Sequence, residues 1–163
     1  MVATFRFFLL FVIAGSAVAE VRVSFPHPER YTDAGKYYDE SETTRRTLER
    51  HLEALGKRYL PPGRTLAVEV LDIDLAGRYE PRGPELREVR IVRDGGDHPL
   101  LKLRYVLQAE GRTLASGEES IADTNYRFHG TTFSSSAPLS HEKRMLHDWF
   151  RTRFVEQSLA QGK

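Results

Sequence analysis

The sequence predicts an α+β fold: a mainly antiparallel sheet of about five strands, with two amphipathic helices packed on one face. Three observations carry this. Residues 39–60 and 138–160 show apolar positions at three- and four-residue steps, the period of a helix with one buried face. Residues 21–25, 66–70, 71–75 and 101–107 show apolar positions at every second residue, the period of half-buried strands. The order strand, helix, strands, helix is that of segregated layers around one core.

Before these elements comes a leader. Residues 1–19, MVATFRFFLLFVIAGSAVA, carry one cation, Arg6, then an apolar run over 7–14 and the small-x-small ending Ala17-Val18-Ala19. The run is too short for a bilayer core of about 30 Å. A cleaved secretory signal cut after Ala19 is expected, leaving a single domain over 20–163 in the periplasm. Cysteine is absent, which excludes disulfides, thiolate metal sites and the lipid anchor of bacterial lipoproteins. A chain of this size buries a core without such staples. Arg6 is one of 24 Lys and Arg, and none of the 23 Asp and Glu lies in the leader, so the mature chain balances 23 against 23. That balance argues against a nucleic-acid partner, which favours a basic stripe.

Val21, Val23 and Phe25 alternate with Arg22 and Ser24, giving a short strand. Pro26 and Pro28 end it and make 26–35 a loop or a sheet edge. The first helix follows, with Asp39 or Ser41 as its cap and Glu42 completing a capping box after Asp39. Leu48, Leu52, Leu55 and Tyr59 form its stripe, and Pro61-Pro62-Gly63 stops it.

The next strand breaks its own alternation. Leu66, Val68 and Val70 share one parity; Leu71, Ile73 and Leu75 share the other. A bulge at Val70-Leu71 flips the parity, so that all six face one core and Glu69, Asp72 and Asp74 face away. A regular strand buried differently along its two faces is the alternative, but it turns carboxylates toward apolar surroundings. Residues 85–126 read as an antiparallel meander, with turns at Asp94-Gly95-Gly96-Asp97 and Glu110-Gly111. The stretch Arg112–Ile121 is poorer in apolar residues and suits an edge. Residues 127–140 begin as a polar loop that leads into the second helix. In the second helix Pro138 suits the first turn and Ser140 is the other capping candidate. Met145, Leu146, Trp149, Phe150 and Phe154 form the stripe, and Gly162 closes the helix.

Chemistry-bearing patterns are sparse. Asp72 and Asp74, two apart on a strand, share a face with backbones about 6.5 Å apart. They suit a hard cation, a split-pKa acid–base pair, or a solvated face, and no third ligand is fixed by spacing. His141 and His147 are six apart, about 240° around a helix, so they do not form a zinc pair. There is no H-E-x-x-H, G-x-S-x-G or phosphate loop. His51 beside the first stripe reads as a half-buried packing residue. Lys143, Arg144, His147, Arg151 and Arg153 around Trp149 fit a membrane surface, but core packing of that helix is preferred.

Several phrases together, PERYTD (28–33), YLPPGRTLAVEVLDIDLAG (59–77), ADTNY (122–126) and HEKRMLHDWF (141–150), resemble a bacterial exported family, domain-of-unknown-function family 3016. The resemblance spans nearly the whole mature chain. Thr124 stands where the family favours an apolar residue and His141 where it favours an aromatic. It implies an exported one-domain envelope protein and brings no activity, cofactor or catalytic residue. It directs attention to Asp72, Asp74, Asn125, Tyr126 and Trp149 as a candidate functional surface. Gly77 fits a strand end needing unusual φ. Asp74 is expected to cap the turn 75–77. The expected function is a non-catalytic binding or adaptor module of the envelope, without metal or cofactor. It would meet an envelope protein or small ligand through the face bearing Glu69 and Asp72, or through the 127–136 loop. The alternative is a metal-dependent or carboxylate hydrolase using Asp72 and Asp74 with a loop histidine.

Overall fold

The computed structural model describes residues 18–83, 87–92, 97–126, 128 and 137–156. The chain runs β1 (Glu20–Ser24), a 3₁₀ turn (Pro28–Arg30), α1 (Tyr38–Tyr59), β2 (Arg64–Asp74), β3 (Arg78–Arg82), β4 (Arg87–Ile91), β5 (Leu100–Ala109), β6 (Arg112–Ala122) and α2 (Ser140–Arg151). A π-helical stretch, Thr152–Glu156, continues α2.

The architecture is α+β, but the main sheet is mixed rather than antiparallel throughout. Its order is β1-β2-β5-β6, and β1 pairs with β2 in parallel. The cause is connectivity: a 22-residue helix lies between β1 and β2, and such a crossover returns the chain to the same end of the sheet. The remaining pairs are antiparallel. The expected meander is also interrupted, because β4 pairs with β3 in a separate two-stranded sheet. Residues 93–96, most of one expected turn, lie outside the described residues, as does Gly162. The other turn forms with Glu110 and Gly111 both at positive φ.

The bulge in β2 is present. Val70 pairs with Leu103 and Asp72 with Lys102, leaving Leu71 as the extra residue. Leu66, Val68, Val70, Ile73 and Leu75 are buried. Leu71 is only half-buried and does not join the core, because the bulged residue itself belongs to neither face. Both helices share that core: Leu48, Leu52 and Leu55 of α1, and Met145, Leu146, Trp149 and Phe150 of α2, cluster with the inward residues of β2 and β5. At about 25 cal/mol per Å² of apolar area, these side chains supply the main favourable term of folding. Gly56 lets α1 approach β1 closely; a Cβ there would run into Val21. The helices also touch each other: His51 Nε2 donates to Lys143 O at 2.8 Å, and Tyr59 hydroxyl meets His147 Nε2 at 2.9 Å. Burial pushes the His51 imidazole down to about 4.

The helix starts differ from expectation. Tyr37, not Asp39 or Ser41, precedes α1, and no side chain caps it. Glu40 instead turns back to accept Lys36 N at 3.0 Å. Leu139, at positive φ, precedes α2, so Pro138 lies before the helix and Ser140 is its first residue. Neither Tyr37 nor Leu139 caps its helix through a side chain.

Candidate functional site

The bulge does more than flip parity. It sets a row of β2 groups against the incoming loop, and 31–33 is stitched onto them. Tyr31 hydroxyl donates to Val70 O at 2.7 Å. Asp72 accepts Thr32 N at 2.7 Å, Thr32 hydroxyl at 2.8 Å and Ile73 N at 2.9 Å. Asp33 N donates to Ile73 O, and Leu75 N donates to Asp33 O. Asp33 therefore continues the parallel edge beside Asp74.

The two aspartates thus have unequal roles, and not those expected. Asp72 is the turn-holding acid. Asp74 does not cap residues 75–77: Ala76 N donates to Glu142 at 2.9 Å, and Gly77 N to Asp97 O at 2.8 Å. Glu142 is a carboxylate brought by α2 and only 3% exposed, a through-space partner that β2 alone does not reveal. Burial, with the neighbouring Asp33 and Asp72 carboxylates, pushes the Asp74 carboxyl up; His98 and Arg90 partly offset this. Gly77 has the expected positive φ, 81°, and a Cβ there would run into Ile91 O.

Stitching the loop creates a cleft of about 510 Å³ between the 3₁₀ turn, the start of α1 and β3. Four tyrosines line it: Tyr31, Tyr37, Tyr38 and Tyr79. Tyr31 is held by Val70, and burial pushes its phenol up to about 12. Tyr79 is held by donation to Glu40 Oε2 at 2.5 Å, by acceptance from Lys36 N at 3.2 Å, and by the Arg90 guanidinium stacked 4.5 Å from its ring centre. Burial, then the bond to Glu40, raises the Tyr79 phenol; the same bond lowers the Glu40 carboxyl. Tyr37 and Tyr38 stand at the lip, 60% and 76% exposed. A second hollow of about 350 Å³ shares Gly35 and Tyr79 with the first and adds Thr43, Thr47, Leu75 and Leu139.

Charges around the cleft are largely spent on one another. Arg90 donates twice to Asp33, at 2.7 and 2.8 Å, and Lys36 pairs with Glu88. Arg45 bonds only its own helix, at Ser41 O, among the described residues. Ser41 lines the cleft, and no histidine is among the other described lining residues. Among the described residues no three His, Asp or Glu side chains gather as a metal cage.

The other expected residues lie elsewhere. Asn125 is exposed, and its N–H closes a turn on Asp123 Oδ1 at 3.1 Å. Tyr126 is buried with its ring edge on His141, and its carbonyl accepts from Arg144. Trp149 is buried against Tyr105, Phe150 and Phe154, with Nε1 donating to Glu119 at 3.1 Å. No hydrogen bond or ion pair among the described residues joins these three to Asp72 or Asp74. Glu69 is engaged by Arg104 at 2.9 Å, in a ladder with Glu118 and Lys102 across the open face. Of the 127–136 loop only Phe128 is described. The tyrosines were not singled out from sequence; Tyr31, inside the PERYTD phrase, is the one signal that pointed here.

A family model described as "Protein of unknown function (DUF3016)" matches residues 19–152. No curated protein and no solved structure matches the chain.

Proposed function

We propose that this chain, which belongs to the DUF3016 family, is an exported, non-catalytic binding module whose ligand is a saccharide held in the tyrosine cleft. The observation that carries the reading is the cleft itself: four tyrosine rings around about 510 Å³, two of them standing exposed at its lip. Aromatic faces carry partial negative charge and attract the C–H faces of sugar rings, while phenol and serine hydroxyls match sugar hydroxyls. Arg90 with Asp33 and Lys36 with Glu88 are already paired, which leaves rings and hydroxyls as the main groups on offer. Export is supported by the leader-like residues 1–19.

The test is titration of the purified protein with a panel of soluble neutral oligosaccharides, followed by NMR of the tyrosine ring signals. Binding that shifts these signals and is lost in Tyr37→Ala with Tyr38→Ala supports the reading. An unmoved spectrum across the panel ends it. N-terminal sequencing of protein recovered from the periplasm should begin at Glu20.

A further inference from the structure

The strands β3 and β4 stand apart from the rest of the fold. They pair only with each other among the described residues. Neither strand places a described residue in the hydrophobic core or against it. A segment with few buried apolar contacts opens at low cost while the core stays folded. What holds this hairpin is polar. At its base Arg78 lies 3.7 Å from Asp97, and Arg90 donates to Gly77 O at 3.2 Å. At the cleft, three links run to residues 33–40. Arg90 donates to Asp33, Lys36 pairs with Glu88, and the Tyr79 hydroxyl joins Glu40 and Lys36 N.

Those links tie one wall of the tyrosine cleft to the other. Among the described lining residues, Tyr79 alone comes from the hairpin. It also lines the neighbouring hollow of about 350 Å³, together with Gly35 and Arg90. Its ring therefore borders both spaces, and moving the hairpin joins them.

The pivot is marked as well. Leu75 N is fixed to Asp33 O, and Ala76 N to the buried Glu142. The chain is thus anchored to the body as far as residue 76. Gly77, at φ 81°, is the next residue, and a glycine absorbs a dihedral change at little steric cost. We propose that β3 and β4 form a hinged wall of the tyrosine cleft, pivoting at Gly77 and latched by Asp33–Arg90, Lys36–Glu88 and Glu40–Tyr79. The wall opens to admit a ligand and closes over it while the main sheet stays folded. This purpose rests on the cleft being the binding site; the motion itself does not.

Amide hydrogen exchange of the purified protein, read by NMR across a series of low urea concentrations, tests the motion without a ligand. Amides of the β3–β4 pairing should exchange at least about a hundredfold faster than those of the β2–β5 pairing. Their rates should depend little on urea, because opening exposes little surface. Asp33→Asn keeps an acceptor for Gly35 N but weakens the Arg90 latch, and should speed hairpin exchange about tenfold. Tyr79→Phe deletes only the hydroxyl that meets Glu40; it should act in the same direction, and it decides the matter if the first variant fails to fold. Hairpin amides with the rate and urea slope of the β2–β5 pairing overturn the proposal, because they then open only by global unfolding. So does hairpin exchange that neither folded variant changes. The link to binding is read with any panel oligosaccharide that shifts the tyrosine signals. At about 100 times its dissociation constant it should slow hairpin exchange about a hundredfold. Bound sugar that leaves the hairpin rates unchanged also overturns the proposal. A panel without a binder ends the saccharide reading alone, and the urea series still decides the hinge.

Discussion

The two edges of the main sheet are treated in opposite ways. β1 is short, five residues, and beyond its end the same edge of β2 is covered by 31–33, which spend their polar groups on Val70, Asp72 and Ile73. β6 is more than twice as long and meets no backbone partner on its outer side among the described residues. A sheet edge is a row of unsatisfied donors and acceptors. Where β1 ends, the fold closes the edge of β2 with a side-chain carboxylate; among the described residues nothing does the same for β6. The closed edge organises a cleft of tyrosines.

Three substitutions test how much of the closed edge depends on a few atoms. The largest effect is expected from Gly77→Ala. It forces a positive φ on alanine and drives a Cβ into Ile91 O, at the end of β4. Backbone strain and overpacking together should cost about 3 kcal/mol in urea denaturation, and Tyr79 should lose its place in the cleft. A wild-type midpoint would show that the hairpin is not held by this turn. Next, Asp72→Ala removes the acceptor of Thr32 N, Thr32 hydroxyl and Ile73 N, and should cost about 2 kcal/mol. The matched change on the open side, Glu118→Ala, should leave the midpoint where it was, because its ion pairs are solvent-exposed. Equal losses at the two sites would erase the contrast between the edges.

Sequence patterning reached the local parts of this contrast. The side-by-side hydrophobes at Val70-Leu71 announce a bulge because strand parity allows no other way to hide both sets of apolar residues. The helix stripes announce their own buried faces, and Arg112–Ile121 reads as an edge from its polarity. What escaped depends on partners remote in sequence. The parallel pairing of β1 follows from the helix between it and β2, a signal present but not used. The departure of β3 and β4 from the meander turns on Gly77 and on Arg90, which binds Gly77 O at 3.2 Å and Asp33. Asp72 and Asp74 depart from their expected roles because Thr32 reaches the first and Glu142 takes the turn expected of the second. The cleft escaped most fully: residues 31, 37, 38 and 79 have no periodicity, and only folding gathers their rings.

A modest effect of the opposite sign is expected at Asp74, the acid the closed edge does not use. Its carboxyl is pushed up by burial and by Asp33 and Asp72, so the folded state holds that proton more tightly than the unfolded chain does. Below the unfolded value of about 3.8 both states carry the proton and the site is neutral in its effect. As pH rises through the folded value, the fold must release the proton against its two neighbours, and stability is lost. Asp74→Asn has no proton to release. It should be modestly more stable than wild type at pH 7, with the gap closing as the pH falls below about 3.8, as read from thermal midpoints across a pH series. A gap that widens toward low pH, or an Asn variant less stable at pH 7, would mean that Asp74 is held by attraction rather than crowded by charge. The closed edge would then contain no strained acid at all.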